Sequence, residues 1–254
     1  MSGLAGNRSV EVSIVIPAHN EAIRIAGTIR RLFGELSVPF EVVVSEDGSS
    51  DGTNAVVDRL AQEYKGRMVV LHSERRLGKG RGFLRGVEHS RGKYIVLLDA
   101  DFPSNADSIE RIIESLRQGY DLVLGSRAHA LSVLDPPAPP IRQALGRVFN
   151  SIVRVVFHLG VHDTQCGVKG FRREVFRVLG AIQFTSFVFD VEVTVKASVC
   201  NLRILEVPIY WSSKGGSKVR VLRDSLLMLN GLANIWLRLP GYRQRVEKIR
   251  IEAS

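Results

Sequence analysis

Tyr94-Ile95-Val96-Leu97-Leu98-Asp99-Ala100-Asp101 decides the reading of this chain. Five apolar residues run without a break and then stop at two carboxylates. An uninterrupted apolar run of this length suits the centre of a parallel sheet covered on both faces. Unpaired carboxylates at a buried strand end are costly. Spaced i, i+2 in a loop, both can reach one hard divalent ion. Magnesium keeps one or two protein carboxylates and takes its other oxygens from phosphates and water, so the pattern suggests a nucleotide diphosphate held through a metal.

The flanking sequence repeats a strand-then-helix unit. Val12–Ile16, Glu41–Ser45, Met68–Leu71 and Asp121–Leu124 read as further strands. Helical stretches are expected from Glu21 to about Leu36, Thr53 to Tyr64, Gly80 to His89 and Ala106 to Gln118. This alternation predicts a doubly wound α/β sheet. Ligands then sit at the carboxyl ends of the strands, where four polar clusters converge. They are Pro17-Ala18-His19-Asn20-Glu21, Glu46-Asp47-Gly48-Ser49-Ser50-Asp51-Gly52-Thr53, Asp99-Ala100-Asp101 and Gly125-Ser126-Arg127-Ala128-His129. Helix capping explains one such cluster well, Ser50-Asp51 in particular, and four together poorly.

Beyond Asp135-Pro136-Pro137-Ala138-Pro139-Pro140, a helix-excluding segment, the pattern changes. A helix from Ile141 to Leu159, a polar loop at Asp163–Gly167, a strand at Ile204–Ile209 and a final amphipathic helix are expected. Leu77-Gly78-Lys79-Gly80-Arg81-Gly82 is glycine-rich enough for backbone to approach a phosphate. It is neither GxGxxG nor a P-loop, which disfavours NAD enzymes and P-loop NTPases.

Composition sets the outer bounds. The chain has 254 residues, 45% of them hydrophobic and 24% charged, which is globular rather than disordered. Two cysteines, Cys166 and Cys200, suggest a reducing compartment and no disulfide framework. Asn7-Arg8-Ser9 is a bare sequon, and Met1–Glu11 lacks the apolar stretch of a signal peptide. No segment has the ~18 unbroken apolar residues of a membrane span. Net charge is 35 − 26 = +9, and residues 201–254 supply 10 − 4 = +6 of it. Without aromatic-studded strands or a recognition-helix pattern, this excess does not indicate nucleic-acid binding.

The quoted motifs together resemble the inverting family-2 glycosyltransferases of GT-A fold. So do Asp163-Thr164-Gln165-Cys166-Gly167-Val168-Lys169-Gly170-Phe171, Phe189-Asp190-Val191-Glu192 and Trp211-Ser212-Ser213-Lys214-Gly215-Gly216-Ser217-Lys218. The match is similar to the dolichyl-phosphate glucosyltransferase branch, with the mannosyltransferases second. It runs in register from about residue 11 to 220.

The resemblance implies a GT-A domain over 11–218, with a nucleotide-sugar half at 11–127 and an acceptor half at 128–218. A flexible terminus at 1–10 and a basic, amphipathic membrane-interface segment at 219–254 flank it. It implies that Pro17, Asn20, Glu21 and Asp47 contact the nucleotide and that Asp99 and Asp101 hold Mg2+ or Mn2+. Pro103 stands where mannosyltransferase relatives carry a third ligand. Arg127 and Arg142 would bind the acceptor phosphate, Gln165 and Asp190 would lie near the transferred sugar, and Lys218 would close over the diphosphate. The implied donor is UDP-glucose, with GDP-mannose the alternative. The implied acceptor is a polyprenyl monophosphate, with another acceptor for a family-2 enzyme as the alternative, and the implied placement is peripheral, on the cytoplasmic face of a membrane. At neutral pH a phosphate monoester is already mostly ionised, so a strong general base is not needed and Asp190 is expected to position rather than abstract.

Overall fold

The apolar run at residues 94–98 forms a central strand of a seven-stranded sheet. The computed structural model describes residues 10–101, 104–136, 140–186, 188–212 and 221–252. Its strands are β1 (Val12–Ala18), β2 (Phe40–Glu46), β3 (Met68–Leu71), β4 (Tyr94–Leu98), β5 (Leu122–Ser126), β6 (Val133–Leu134), β7 (Val168–Arg172), β8 (Ile204–Pro208) and β9 (Tyr210–Trp211). The helices are α1 (Ile25–Glu35), α2 (Thr53–Glu63), α3 (Lys79–Glu88), α4 (Ala106–Arg117), α5 (Pro140–Phe157), α6 (Val175–Leu179), α7 (Val188–Val199) and α8 (Val221–Glu252).

The sheet order is β3-β2-β1-β4-β7-β5-β8. β7 is antiparallel to both neighbours, and the remaining pairs are parallel. The chain first builds outward from β1 to β3 and then returns to the other side of β1, which creates the switch point where such sheets bind ligands. Val12, Ile14 and Ile16 face a core layer with α1, α2 and α4. Val15, Val43, Ile95 and Leu97 face a second layer with α3, α5 and α7, completed by Leu232 and Ile235 of α8. Burial on both faces is why β1, β2 and β4 carry apolar runs rather than alternation.

The predicted elements of the first half appear within a few residues, except that α1 begins at Ile25 and residues 21–24 form a turn. Sequence reading missed β7, α6, α7 and the small β6-β9 sheet. β7 has Gly170 at its centre, Gly167 just before it and Lys169 as its second residue, all of which weaken the β signal. α7 is buried nearly all round, so it shows no amphipathic period to read.

The final helix resolves into two roles. Gly231 lies so close to α7 that a Cβ there would sit 2.5 Å from Val188 Cγ2. Gly231 is thus part of the packed side, with Leu232 and Ile235. Leu227, Leu229, Trp236 and Leu237 on the rest of α8 are exposed.

Candidate active site

Because β7 runs antiparallel, its beginning lies at the same sheet edge as the ends of its neighbours. Leu98 pairs with Val168, so the loop 163–167 meets Asp99 and Asp101 after β4 and Arg127 after β5. Gly167 makes the approach possible. A Cβ there would lie 1.8 Å from Asp99 Oδ2.

Neither carboxylate of the Asp-x-Asp caps the next helix. Asn105 does, accepting from the Ser108 amide at 3.0 Å. Asp101 Oδ1 is buried with no hydrogen-bond partner among the described residues. Burial first, then the charges of Asp99 and Glu21, raise the Asp101 pKa. A crowded pair of hard oxygen donors, one of them with a buried, orphaned acceptor, fits a divalent cation. Among the described residues no group of three His, Cys, Asp or Glu side chains forms a complete protein cage. Magnesium-type sites rarely need one.

A buried charge network extends from Asp99. Lys79, the first residue of α3, places Nζ 3.0 Å from Asp99 Oδ1 and 3.5 Å from Asp190 Oδ2. Asp190 Oδ1 lies 2.6 Å from Lys169 Nζ, and Lys169 is wholly buried at the centre of the sheet. Burial would raise the Asp190 pKa, but Lys169 and then Lys79 outweigh it and hold the carboxyl below its usual range. Burial would likewise lower that of Lys79, and Asp190 and Asp99 raise it instead. Sequence reading gave no role to either lysine. The available signal for Lys169 was a cation inside an otherwise apolar segment, which demands a buried partner.

Arg127 is oriented by Asp163. Its Nε and Nη2 reach Oδ2 and Oδ1 at 2.7 and 2.9 Å, and its own amide donates to Oδ2 at 3.0 Å. The guanidinium also lies 5.2 Å from the Trp211 ring, which the β6-β9 pairing brings alongside. Asp163 in turn is fixed by Glu206, which accepts from its amide at 2.8 Å. Gln165 reaches toward Met228 of α8, Nε2 to Sδ 4.0 Å.

The four expected nucleotide contacts come together at the β1 and β2 ends. Asn20 adopts φ 56°, tolerable for asparagine, and its Oδ1 accepts from the Ser50 amide at 2.9 Å. The Glu21 amide donates to Thr53 Oγ1 at 2.8 Å. Asp47 accepts from the Leu77 and Gly78 amides, tying β2 to the start of α3. Pro17 lies against α3 near Gly82. The glycine-rich run itself serves packing. A Cβ on Gly78 or Gly80 would stand 2.6 Å from the Thr185 or Phe184 carbonyl oxygen, and one on Gly86 2.3 Å from Val15 Cγ1. Arg142 falls in the first turn of α5, its side chain outside the described features, and Lys218 and Pro103 lie outside the described residues.

A mostly parallel sheet with one inserted antiparallel strand and an Asp-x-Asp at its switch point defines a GT-A glycosyltransferase. The chain belongs to glycosyl transferase family 2, whose profile matches residues 13–180. It is 37% identical over 252 residues to the glycosyltransferase AglD of Haloferax volcanii. That match covers 96% of this chain and 40% of the relative, so the chain spans less than half of that protein. It is 30% identical over 251 residues to the dolichyl-phosphate beta-glucosyltransferase of Saccharomyces cerevisiae, covering 90% of this chain and 75% of that one. Among solved structures, glucosyl-3-phosphoglycerate synthase from Mycobacterium tuberculosis in complex with Mn2+, UDP and glucosyl-3-phosphoglycerate superposes with a TM-score of 0.64. It shares 17% identity, over 89% of this chain and 80% of that chain.

Proposed function

We propose that this chain transfers a hexose, glucose from UDP-glucose foremost, to the phosphate of a polyprenyl lipid with inversion at the anomeric carbon. The observation that carries the reading is the meeting, on one sheet edge, of the Asp99-Asp101 pair, in which Asp101 Oδ1 has no partner among the described residues, with an arginine fixed by Asp163. The similarity to dolichyl-phosphate glucosyltransferases over most of the chain supports the choice of donor and acceptor.

A divalent ion, Mg2+ or Mn2+, held by Asp99 and Asp101 would neutralise the leaving diphosphate. Pro17, Asn20, Glu21 and Asp47 shape the nucleotide end of the cleft, and Lys218 belongs to the segment that would cover it. Arg127, already turned by Asp163, meets the incoming acceptor phosphate, and Arg142 at the head of α5 would add a second cation. The acceptor oxygen arrives ionised. Asp190, held below the usual carboxylate range, therefore positions its neighbours and takes no proton. Gln165 orients the sugar between them.

A lipid acceptor requires a membrane surface. On α5, Ile141, Leu145, Val148, Ile152 and Val155 are exposed, and α8, which touches α5, adds Leu229, Trp236 and Leu237. This apolar surface with basic residues around it supports peripheral attachment, which we place on the cytoplasmic face. No helix among the described residues is long and apolar enough to cross a membrane.

The test is transfer to a short polyprenyl phosphate with Mg2+ or Mn2+ and a panel of UDP- and GDP-sugars. Lipid-linked glucose formed from UDP-glucose, and lost in Asp101→Asn, is the expected result. Transfer from GDP-mannose alone would discard the donor. Donor binding without any lipid product would discard the acceptor.

A further inference from the structure

Asp190 is served by two lysines of different character. Lys169 is completely buried and is also bonded to the Cys166 carbonyl, so it has no room to leave. Lys79 keeps 18% of its side chain exposed, stands at the start of α3 and divides its ammonium between two carboxylates. The shorter contact, 3.0 Å, is to Asp99 rather than to Asp190. Asp99 is also one of the two residues that would hold the metal. A lysine ammonium is a compact point charge on a flexible stem with three donors, suited to exchanging partners.

Resting on the metal site proposed above, we infer that Lys79 is a placeholder cation. It neutralises Asp99 while the metal is away, is displaced from it when the ion arrives, and passes to Asp190. A divalent ion approaches carboxylate oxygen to about 2.0–2.2 Å and would compete for the Asp99 Oδ1 lone pairs with the ammonium. Two cations at one carboxylate oxygen repel each other strongly in a partly desolvated cleft. Asp190 Oδ2, only 3.5 Å from the same Nζ, provides the alternative seat. The exchange has two consequences. The bare ion binds weakly because it must displace a cation, whereas the ion arriving with a diphosphate brings the negative charge that offsets the displacement. Loading of the donor side at Asp99 also tightens the ion pair on α7, which belongs to the acceptor half.

The experiment measures Mn2+ affinity directly, by the paramagnetic signal of free Mn2+ and by calorimetry, without UDP and with it. Wild type is compared with Lys79→Met, Lys79→Gln and Lys79→Arg, each checked for native melting. The neutral variants are expected to bind Mn2+ alone about tenfold more tightly than wild type, because the competitor is gone. Lys79→Arg keeps the charge and is expected to bind like wild type. UDP should narrow the difference. Met and Gln variants that fold and bind Mn2+ no more tightly than wild type would overturn the inference. Should one neutral variant not fold, the other decides. Mn2+ binding absent from every variant and from wild type, with UDP present, would overturn the metal site and this inference together.

Discussion

Asp101→Asn should make the metal-free protein more stable and the metal-loaded protein less so. In the folded chain Asp101 Oδ1 is buried without a partner among the described residues, and burial, Asp99 and Glu21 all raise its pKa. A carboxyl with a raised folded pKa contributes its stability below its unfolded pKa and loses it as pH rises through the folded value. At pH 7 the ionised group is therefore a burden. A buried unsatisfied polar group costs about 1–3 kcal/mol, more when charged, and the amide keeps part of that cost, so the net gain is about 1 kcal/mol. For a chain of this size that is about 2 °C in melting temperature. Mn2+ and UDP at about a hundred times their dissociation constant add ~2.7 kcal/mol, or about 5 °C, to wild type alone. Scanning calorimetry at pH 7 should thus show the two proteins exchange order on loading. The variant's advantage should close as pH falls toward ~4, the unfolded aspartate value. A variant that melts below wild type without metal would refute the reasoning, because Asp101 would then be stabilising the fold rather than waiting for a cation.

Four further outcomes follow from the same geometry. Gly167→Ala should abolish Mn2+ binding in a titration while leaving the circular dichroism spectrum native, since its Cβ would fall on Asp99 Oδ2 at 1.8 Å. Asp190→Asn leaves Lys169 buried without its counter-charge and should cost about 3 kcal/mol in urea unfolding; Asp190→Leu with Lys169→Met should recover most of that but no transfer. Asp163, whose folded pKa is held low against burial by Arg127, contributes stability that is present above its unfolded pKa and lost as pH falls through the lower folded value. Arg127→Met should therefore move the acid-unfolding midpoint to higher pH. Val148 and Val155 are 58% and 73% exposed, so changing both to Asp should leave melting unaltered. At about 1.5 kcal/mol per valine, it should reduce co-sedimentation with anionic vesicles about a hundredfold.

The first half of the fold was legible because each strand is covered on both faces and each helix on one. That difference writes itself into the sequence as apolar runs alternating with 3.6-residue periods. β7 and α7 broke those rules. β7 holds a lysine and a glycine among apolar residues, because it lies between β4 and β5 and brings Lys169 to Asp190. α7 is buried on almost every side by the sheet, α3, α6 and α8, so its Val-rich run looks equally like a strand. The site followed the same division. Asp99, Asp101 and Arg127 announce themselves by standing just beyond strands. Lys79 and Lys169 act through partners distant in sequence, and only the sheet order shows which carboxylates they meet. Within the glycine-rich run, Gly78 and Gly80 also serve a contact that the sequence does not name, the close approach of the 184–185 segment.

The lysines also bear on the kind of nucleophile this cleft suits. A hydroxyl acceptor has a pKa far above neutrality, and an enzyme using one needs a base whose pKa sits near the working pH. Asp190, a buried carboxylate that shares Lys79 with Asp99, is displaced in the opposite direction by two ammonium groups. Asp163 is lowered as well, by a bidentate arginine. Asp101, the one carboxyl raised among the described residues, belongs to the proposed metal pair. Cys166 is pushed up to about 12 by burial and the Asp163 charge, so it stays a neutral thiol. Among these shifted groups none is suited to accept a proton from an alcohol, while Lys79 stands on Asp99 and Arg127 on Asp163. Such an environment serves an acceptor that arrives as an anion and needs its charge tolerated beside a second anion, which is the situation of a lipid phosphate meeting a nucleotide diphosphate. If transfer to a simple polyprenol, lacking phosphate, proceeded at a comparable kcat/KM, this division of labour among Arg127, Lys79 and Asp190 would have to be abandoned.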